Sequence, residues 1–317
     1  MDRNENELLE AIGKVLSGAG PEVIVGVGDD AAVLSPATGE QLLTTDALVE
    51  GTHFELGLTS ARDLGYKAIA VNVSDIAAMG GSPRAALCAL TLSDAVDAAW
   101  VIELIGGMRE CCDEYALWLV GGNLARGDAV SVVVTVTGEV APGRAVTRGG
   151  ARVGDRVVVT GELGSAAVGL RVARSSGAPD REALAALHAY LRPTPRVGEA
   201  SVLARHGATA MLDVSDGLAI DLSRLCEASG VGARIGYRQL PLAPGAQRTD
   251  VLGGGEDYEL LATLPSGIDV DSARTALREG FGVPLAEIGA IIEKGLVLEE
   301  IDGSEHALAE QGWDHFG

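Results

Sequence analysis

Apolar and polar residues alternate along this chain in two rhythms, short apolar runs and longer amphipathic stretches. Over residues 4–16 the apolar positions are Leu8, Leu9, Ile12, Val15 and Leu16, the spacing of one helical face. Two short apolar runs, 23–27 and 31–34, flank Gly28-Asp29-Asp30, and both read as strand. Residues 41–46 read as a short strand ending in Thr44, Thr45 and Asp46, with 47–54 as a loop that carries His53. Residues 61–80 have helical spacing, with Leu64, Ala68, Val71, Ile76 and Met79 on the apolar face. Asn72, Ser74 and Asp75 interrupt that face. Polar groups there need partners or a ligand, or they mark a cap or kink between two helices. A strand over 84–92, a helix over 94–115, a strand over 117–120 and a long strand over 130–140 follow. The strand over 117–120 ends at Gly121-Gly122-Asn123.

Ala141-Pro142-Gly143-Arg144 and Thr147-Arg148-Gly149-Gly150 punctuate the chain as a linker. This divides it into an N-terminal domain, 1–140, and a C-terminal domain, 141–317. Beyond the linker the pattern restarts with a strand at 156–160, a turn at 161–164 and helices at 165–175, 181–191 and 196–205. A strand at 210–213 runs into acidic residues and a helix at 218–228. Gly253-Gly254-Gly255-Glu256-Asp257 precedes a strand at 258–264. A helix at 269–281 and two closing strands within 285–298 complete an α/β (α+β) chain with a faint echo between its halves.

Length is consistent with two ordinary domains: the chain has 317 residues, 47% of them hydrophobic. No apolar run reaches the ~18 residues of a membrane span. The acidic, polar start Met1-Asp2-Arg3-Asn4-Glu5 does not resemble a secretory signal. Cys88, Cys111, Cys112 and Cys226 form no Cys-x-x-Cys pair and read as buried free thiols of a cytoplasmic protein. The net charge of −21 argues against nucleic acid or anionic membrane as partner. It would also repel a free polyphosphate, so handling one would require metal ions. The alternative is that the charge is only a solvated surface.

Five acidic stations stand out, read at strand ends or helix starts: Asp29-Asp30, Asp46, Asp75, Asp213 with Asp216, and Glu256-Asp257. Two unit charges ~4 Å apart at an effective dielectric near 20 repel by about 4 kcal/mol, which a hard cation such as Mg²⁺ removes. Any one pair taken alone could be a solvated acidic turn. Gly-rich turns and helix N-termini add backbone donors for phosphate. Together these describe a metal–triphosphate site assembled from both halves, with Arg148 as a phosphate fork. Near Asp46, His53 is a substrate contact or a structural hydrogen-bonder. A Walker loop is excluded, because none of the three lysines, Lys14, Lys67 and Lys294, lies in a Gly-Lys-Ser/Thr motif. The run from Gly26 to Ala31 matches a dinucleotide fingerprint only partly and leads into a strand, not a helix. No serine-hydrolase elbow, kinase signature or zinc spacing occurs.

Five segments carry a resemblance. They are Gly28-Asp29-Asp30-Ala31-Ala32-Val33-Leu34, the run from Thr44 to Phe54, the run from Asn72 to Gly81, the run from Asp213 to Leu218, and Gly254-Gly255-Glu256-Asp257-Tyr258-Glu259-Leu260. With the tail Trp313-Asp314-His315-Phe316 they resemble, in order and over nearly the whole chain, the thiamine-monophosphate kinase family. Two pieces, Asn72–Asp75 and Asp213–Gly217 by number, are shared with a wider ATP-dependent superfamily. It includes aminoimidazole ribonucleotide synthetase, selenophosphate synthetase and a hydrogenase maturation factor. The resemblance implies phosphorylation of thiamine monophosphate by ATP with several Mg²⁺ ions. It implies metal contacts at Asp30, Thr44, Thr45, Asp46, Asp75, Asn123, Asp213 and Asp216. It further implies ATP contacts at Gly122, Asn123, Arg148 and Ser215, and thiamine-phosphate contacts at His53, Glu256 and Trp313. The family often has Asp at the position of Asn123, which ligates without charge. The resemblance also implies a homodimer whose N-terminal sheets pair into a barrel, and a C-terminal α/β sandwich. No general base is expected, because the acceptor phosphate, with a second pKa of about 6, is largely dianionic at neutral pH. The rival readings are a sibling ring-closing or selenophosphate-type synthetase and a non-catalytic cation-binding acidic protein.

Overall fold

The computed structural model describes residues 5–16, 18, 20–176, 178–309 and 312–313. It divides into two compact units, Met1–Ile76 with Gly81–Gly143, and Ala77–Gly80 with Arg144–Gly317.

The first unit contains α1 (Glu5–Val15), β1 (Val23–Val25), β2 (Val33–Leu34), β3 (Glu40–Val49), α2 (Ala61–Ala78), β4 (Ser82–Leu92), α3 (Ala98–Glu114), β5 (Trp118–Arg126) and β6 (Ser131–Val140). β1 and β2 form a small antiparallel ribbon with Asp29 and Asp30 in its loop. The main sheet has the order β3-β6-β4-β5, antiparallel except for the β4–β5 pair. Period-two alternation sets its faces. Val132, Val134 and Val136 of β6 are fully buried, whereas Val133, Thr135 and Thr137 between them are not. α2 lies on the buried face, where a Cβ at Gly138 of β6 would come within 2.6 Å of Ile76. α2 and α3 cross almost backbone to backbone. A Cβ at Gly65 would sit 1.9 Å from Leu104 O, and one at Gly107 would sit 1.8 Å from Arg62 O.

The second unit contains β7 (Arg156–Thr160), α4 (Ser165–Ala173), α5 (Arg181–Leu191), α6 (Val197–Arg205), β8 (Ala210–Asp213), α7 (Leu218–Ser229), β9 (Gly232–Gly236), α8 (Arg248–Gly253), β10 (Leu260–Leu264), α9 (Val270–Phe281), β11 (Leu285–Ile292), β12 (Leu296–Glu299) and β13 (Glu305–Ala307). These strands make one sheet of order β13-β12-β9-β11-β7-β10-β8. Val157 and Val159 of β7 pack in a core with Leu218, Leu222 and Leu225 of α7 and Val251 of α8. Val158 packs in a second core with Leu203 of α6 and Ala273 and Leu277 of α9. Helices therefore cover both faces, and the central strands read as continuous apolar runs because neither face meets water.

Several boundaries differ from the sequence reading. β3 continues through Val49, so the expected loop at 47–54 starts later; its register with β6 holds from Glu40↔Val140 to Val49↔Ser131. β5 runs on through Gly121, Gly122 and Asn123 to Arg126, paired with β4 throughout. The glycines lie inside the strand because backbone crowding demands them: a Cβ at Gly122 would lie 2.0 Å from Cys88 O. The strand expected at 258–264 begins at Leu260, since Tyr258 has φ +52° and cannot extend it. β9, α8 and β13 lack sequence signals long enough to separate them from loop. α2 is one helix that runs continuously through Asn72.

Candidate functional site

In the first unit the alternation of β3 sorts the predicted ligands. Thr44 and Asp46 share the face of Leu42 and Leu48, both buried under the helix layer. There Thr44 Oγ1 donates to Asp75 Oδ2 of α2 at 2.5 Å. Thr45 points to the opposite face, where its hydroxyl donates to Val134 O and accepts from Thr135 Oγ1, both at 3.0 Å. The structure thus brings Thr44, Asp46 and Asp75 to one face and leaves the Thr45 hydroxyl on the other.

On that other face a cleft of about 1050 Å³ is lined by the loop Gly28–Ala32, by Gly122 and Asn123 of β5, and by Thr135. Asp30 and Asn123 therefore border one cavity, and both are exposed. His53 closes the turn after β3. Its backbone N–H donates to Val49 O, and Val49 N donates to its Nδ1 at 3.1 Å. A backbone N–H cannot accept, so Nδ1 carries no proton and the neutral ring holds its proton on Nε2.

In the second unit the predicted residues gather on one turn, Val214-Ser215-Asp216-Gly217, between β8 and α7. Asp213, at the end of β8, is buried. The turn's carbonyls accept from Tyr258 and from two of the predicted contacts: Val214 O from Tyr258 N at 2.9 Å, Ser215 O from Glu256 N at 2.7 Å, and Asp216 O from Trp313 N at 3.0 Å. Its amides face the other way. Ser215 N, Asp216 N and Gly217 N all donate to Asp221 Oδ2, at 3.1, 3.0 and 3.1 Å. Arg224 donates to Asp216 Oδ2 and, at 2.8 Å, to Asp221 Oδ1. Burial pushes the Asp221 carboxyl up, and the amide of Asp216 pulls it back.

The segment that carries Glu256 is strained. Glu256 has φ +68° and Tyr258 φ +52°, left-handed values costly for bulky residues. Asp257 between them holds it in place, accepting from Gly164 N at 2.6 Å and Ala166 N at 3.1 Å at the start of α4. Burial raises the Asp257 carboxyl to about 7 against the pull of these donors. Arg148 is exposed, on a loop whose backbone is clamped by Ser229. That hydroxyl donates to Arg148 O and accepts from Gly150 N and Ala151 N.

Two of the five acidic stations do not sit at element ends as expected. Asp46 is inside β3 and Asp75 inside α2, because the hydrophobic pattern ran past both without a break. Asp314, His315 and Phe316 of the expected tail motif lie outside the described residues, whereas Trp313 is exposed. Among the described residues, no three of His, Cys, Asp and Glu gather as a metal-holding group. The sequence reading missed Asp221, Arg224 and Thr135. An acidic residue in the first turn of α7 was the available signal for Asp221.

Comparison with known proteins places these features. The family described as AIR synthase related protein, N-terminal domain, matches residues 28–140, and its C-terminal counterpart matches residues 152–299. The chain is 39% identical over 308 residues to the thiamine-monophosphate kinase of Escherichia coli O157:H7, covering 93% of each chain. It is similar to the solved thiamine-monophosphate kinase of Stenotrophomonas maltophilia K279a, with TM-score 0.83, 34% identity and coverage of 98% and 99% of the two chains. It is also similar to AaThiL complexed with AMPPCP and TMP, with TM-score 0.76, 33% identity and coverage of 98% and 97%.

Proposed function

The chain belongs to the thiamine-monophosphate kinase family of AIR synthase related proteins, and from this we infer that it transfers a phosphoryl group from ATP to thiamine monophosphate, giving ADP and thiamine diphosphate. The observation that carries the reading is whole-chain similarity to a relative solved with an ATP analogue and TMP together. The hydrogen bonds that hang Glu256 and Trp313 on the turn of Ser215 and Asp216 agree with it.

In our reading the enzyme works by positioning and charge neutralisation rather than by a general base. The acceptor phosphate is already nucleophilic when dianionic, and the work lies in bringing two anions into line. In the second unit Arg148 and Ser215 contact the nucleotide phosphates; in the first unit the backbone of Gly122 contacts ATP. His53 contacts the acceptor phosphate, and Glu256 and Trp313 hold the thiamine portion. Mg²⁺ would supply neutralisation of the charge that builds between the two phosphates. The hard oxygens available to it are, in the first unit, Asp30 and Asn123 at the cleft and Thr44, Asp46 and Asp75 on the opposite face of the sheet, and, in the second unit, Asp213 and Asp216. They suit an ion that takes one or two carboxylates together with substrate phosphates. The Thr44–Asp75 hydrogen bond supports this by fixing one carboxylate oxygen. The hydroxyl of Thr45, committed to Val134 O, supports no such role.

We further propose a homodimer, a cytoplasmic setting, no nucleic-acid partner, and a domain boundary between residues 140 and 141. The half-exposed outer face of the first sheet, with Leu43 and Leu87, supports pairing there. Among the described residues no helix is long and apolar enough to cross a membrane. The test is a product assay: ATP, Mg²⁺ and thiamine monophosphate should give thiamine diphosphate and ADP in equal amounts. ADP release that is indifferent to thiamine monophosphate would sink the assignment.

A further inference from the structure

We propose that Asp221 is a positioning residue for the phosphoryl transfer, a buried side chain that holds in register the turn from which both the nucleotide-facing and acceptor-facing residues of the second unit hang. The inference rests on the reading above of Ser215, Asp216, Glu256 and Trp313.

The turn Val214–Gly217, by number 214–217, is used on both of its edges. On one edge three consecutive carbonyls receive Tyr258, Glu256 and Trp313. On the other edge three consecutive amides converge on one carboxylate oxygen, Asp221 Oδ2. Three amides pointing to one atom fix the orientation of the peptide planes between them, and those same planes carry the carbonyls. The carboxylate is 2% exposed, so water does not compete for the amides. Gly217 at φ +126° lets the chain turn sharply enough for the amides to converge. The second oxygen of Asp221 holds Arg224, which also grips the side chain of Asp216. One buried carboxylate thereby sets the Ser215–Asp216 backbone, the Asp216 side chain, and, through carbonyls, the anchor points of Glu256 and Trp313. Asp221 touches neither substrate nor reacting atom in this scheme. Its effect is that displacing it moves both binding functions together.

The test compares the full-length enzyme with Asp221→Ala, Asp221→Asn and Asp155→Ala. The last is a control, since Asp155 is also buried but bonds Arg152 and Thr209, away from the turn. In Asp221→Ala, KM for ATP and for thiamine monophosphate should both rise about tenfold or more, as misplacement of this kind costs. Amide exchange should quicken together over 214–217, 254–258 and 312–313. Asp221→Asn keeps one oxygen for the three amides and should stay within about threefold of wild type in both constants. Asp155→Ala should lower the unfolding temperature while leaving both KM values alone. A folded Asp221→Ala with either KM unchanged or exchange unchanged overturns the proposal, as does an Asn variant as impaired as the Ala one, or equal KM effects from Asp155→Ala. Should Asp221→Ala not fold, Asp221→Glu, which keeps the charge but moves it by one methylene, must raise both KM values, and unchanged values overturn the proposal. Failure of the wild type to form thiamine diphosphate would instead remove the reading on which it rests.

Discussion

The two units support their share of the chemistry by different means. In the first, the residues proposed to meet phosphate and metal ride on long regular elements: Thr44 and Asp46 on β3, Asp75 on α2, Gly122 and Asn123 on β5. Their directions follow from strand and helix periodicity, and the elements are fixed by core packing. In the second, the corresponding residues ride on turns, and each turn needs a dedicated prop. Asp221 props 214–217, Asp257 props the strained 254–258 segment, and Ser229 props the loop of Arg148. A regular element obtains its orientation from tens of shared contacts. A turn obtains it from a few buried polar groups, each of which can be removed singly.

The contrast can be broken most severely at Asp75. Asp75→Asn should cut turnover about 10³-fold or more, while circular dichroism and the unfolding temperature stay near wild type, because α2 is held by Leu64, Ile69 and Ile76 rather than by this side chain. Near-normal turnover by a folded variant would remove Asp75 from the site. Gly122→Ala comes next. Its Cβ has no room against Cys88 O, so β4 and β5 must separate. The expected result is 1–3 kcal/mol, roughly, of lost stability together with weaker binding of an ATP analogue by calorimetry. Full stability would mean that β5 is more pliable than a regular element should be.

Asp257 tests the propped unit through pH. Its folded value, about 7, lies above the ordinary carboxylate range. The stability tied to this group is therefore complete below that range and is lost as pH rises through about 7. Urea midpoints measured from pH 4 to 8 should fall less steeply for Asp257→Asn than for wild type; parallel curves would contradict the assignment. The smallest effect sharpens the face rule within β3. Thr45→Val should change kcat/KM by no more than about threefold, whereas Thr44→Val, which strips Asp75 of its hydrogen bond, should cost roughly tenfold. Equal losses would mean that alternation along β3 does not decide which hydroxyl matters.

The same contrast explains what could be read from the sequence. α2, α3, β4 and β6 were legible because long apolar periodicity has one structural solution, and the matching of motifs in order identified the family. The central strands of the second unit were legible for the same reason. β9, α8 and β13 were not, since each is short and takes its conformation from neighbours: β9 from pairing with β11 and β12, β13 from β12 alone. The separation of Thr45 from Thr44 and Asp46 followed from strand periodicity, but only once the strand was known to run past Asp46. The three amides converging on Asp221 had no linear signature beyond an acidic residue in a helix's first turn. The left-handed Glu256 and Tyr258 had none at all, because neither is a residue that seeks that conformation.

Gly65 and Gly107 have a consequence for how this enzyme can vary. Where two helices meet through side chains, a change on one can be answered by a complementary change on the other, and the interface drifts. Here the meeting surfaces are peptide groups, which have no alternative shapes to offer. The crossing that seats the Asp75 helix is therefore closed to gradual substitution: even one methyl group forces the helices apart, with no second-site replacement able to restore the fit.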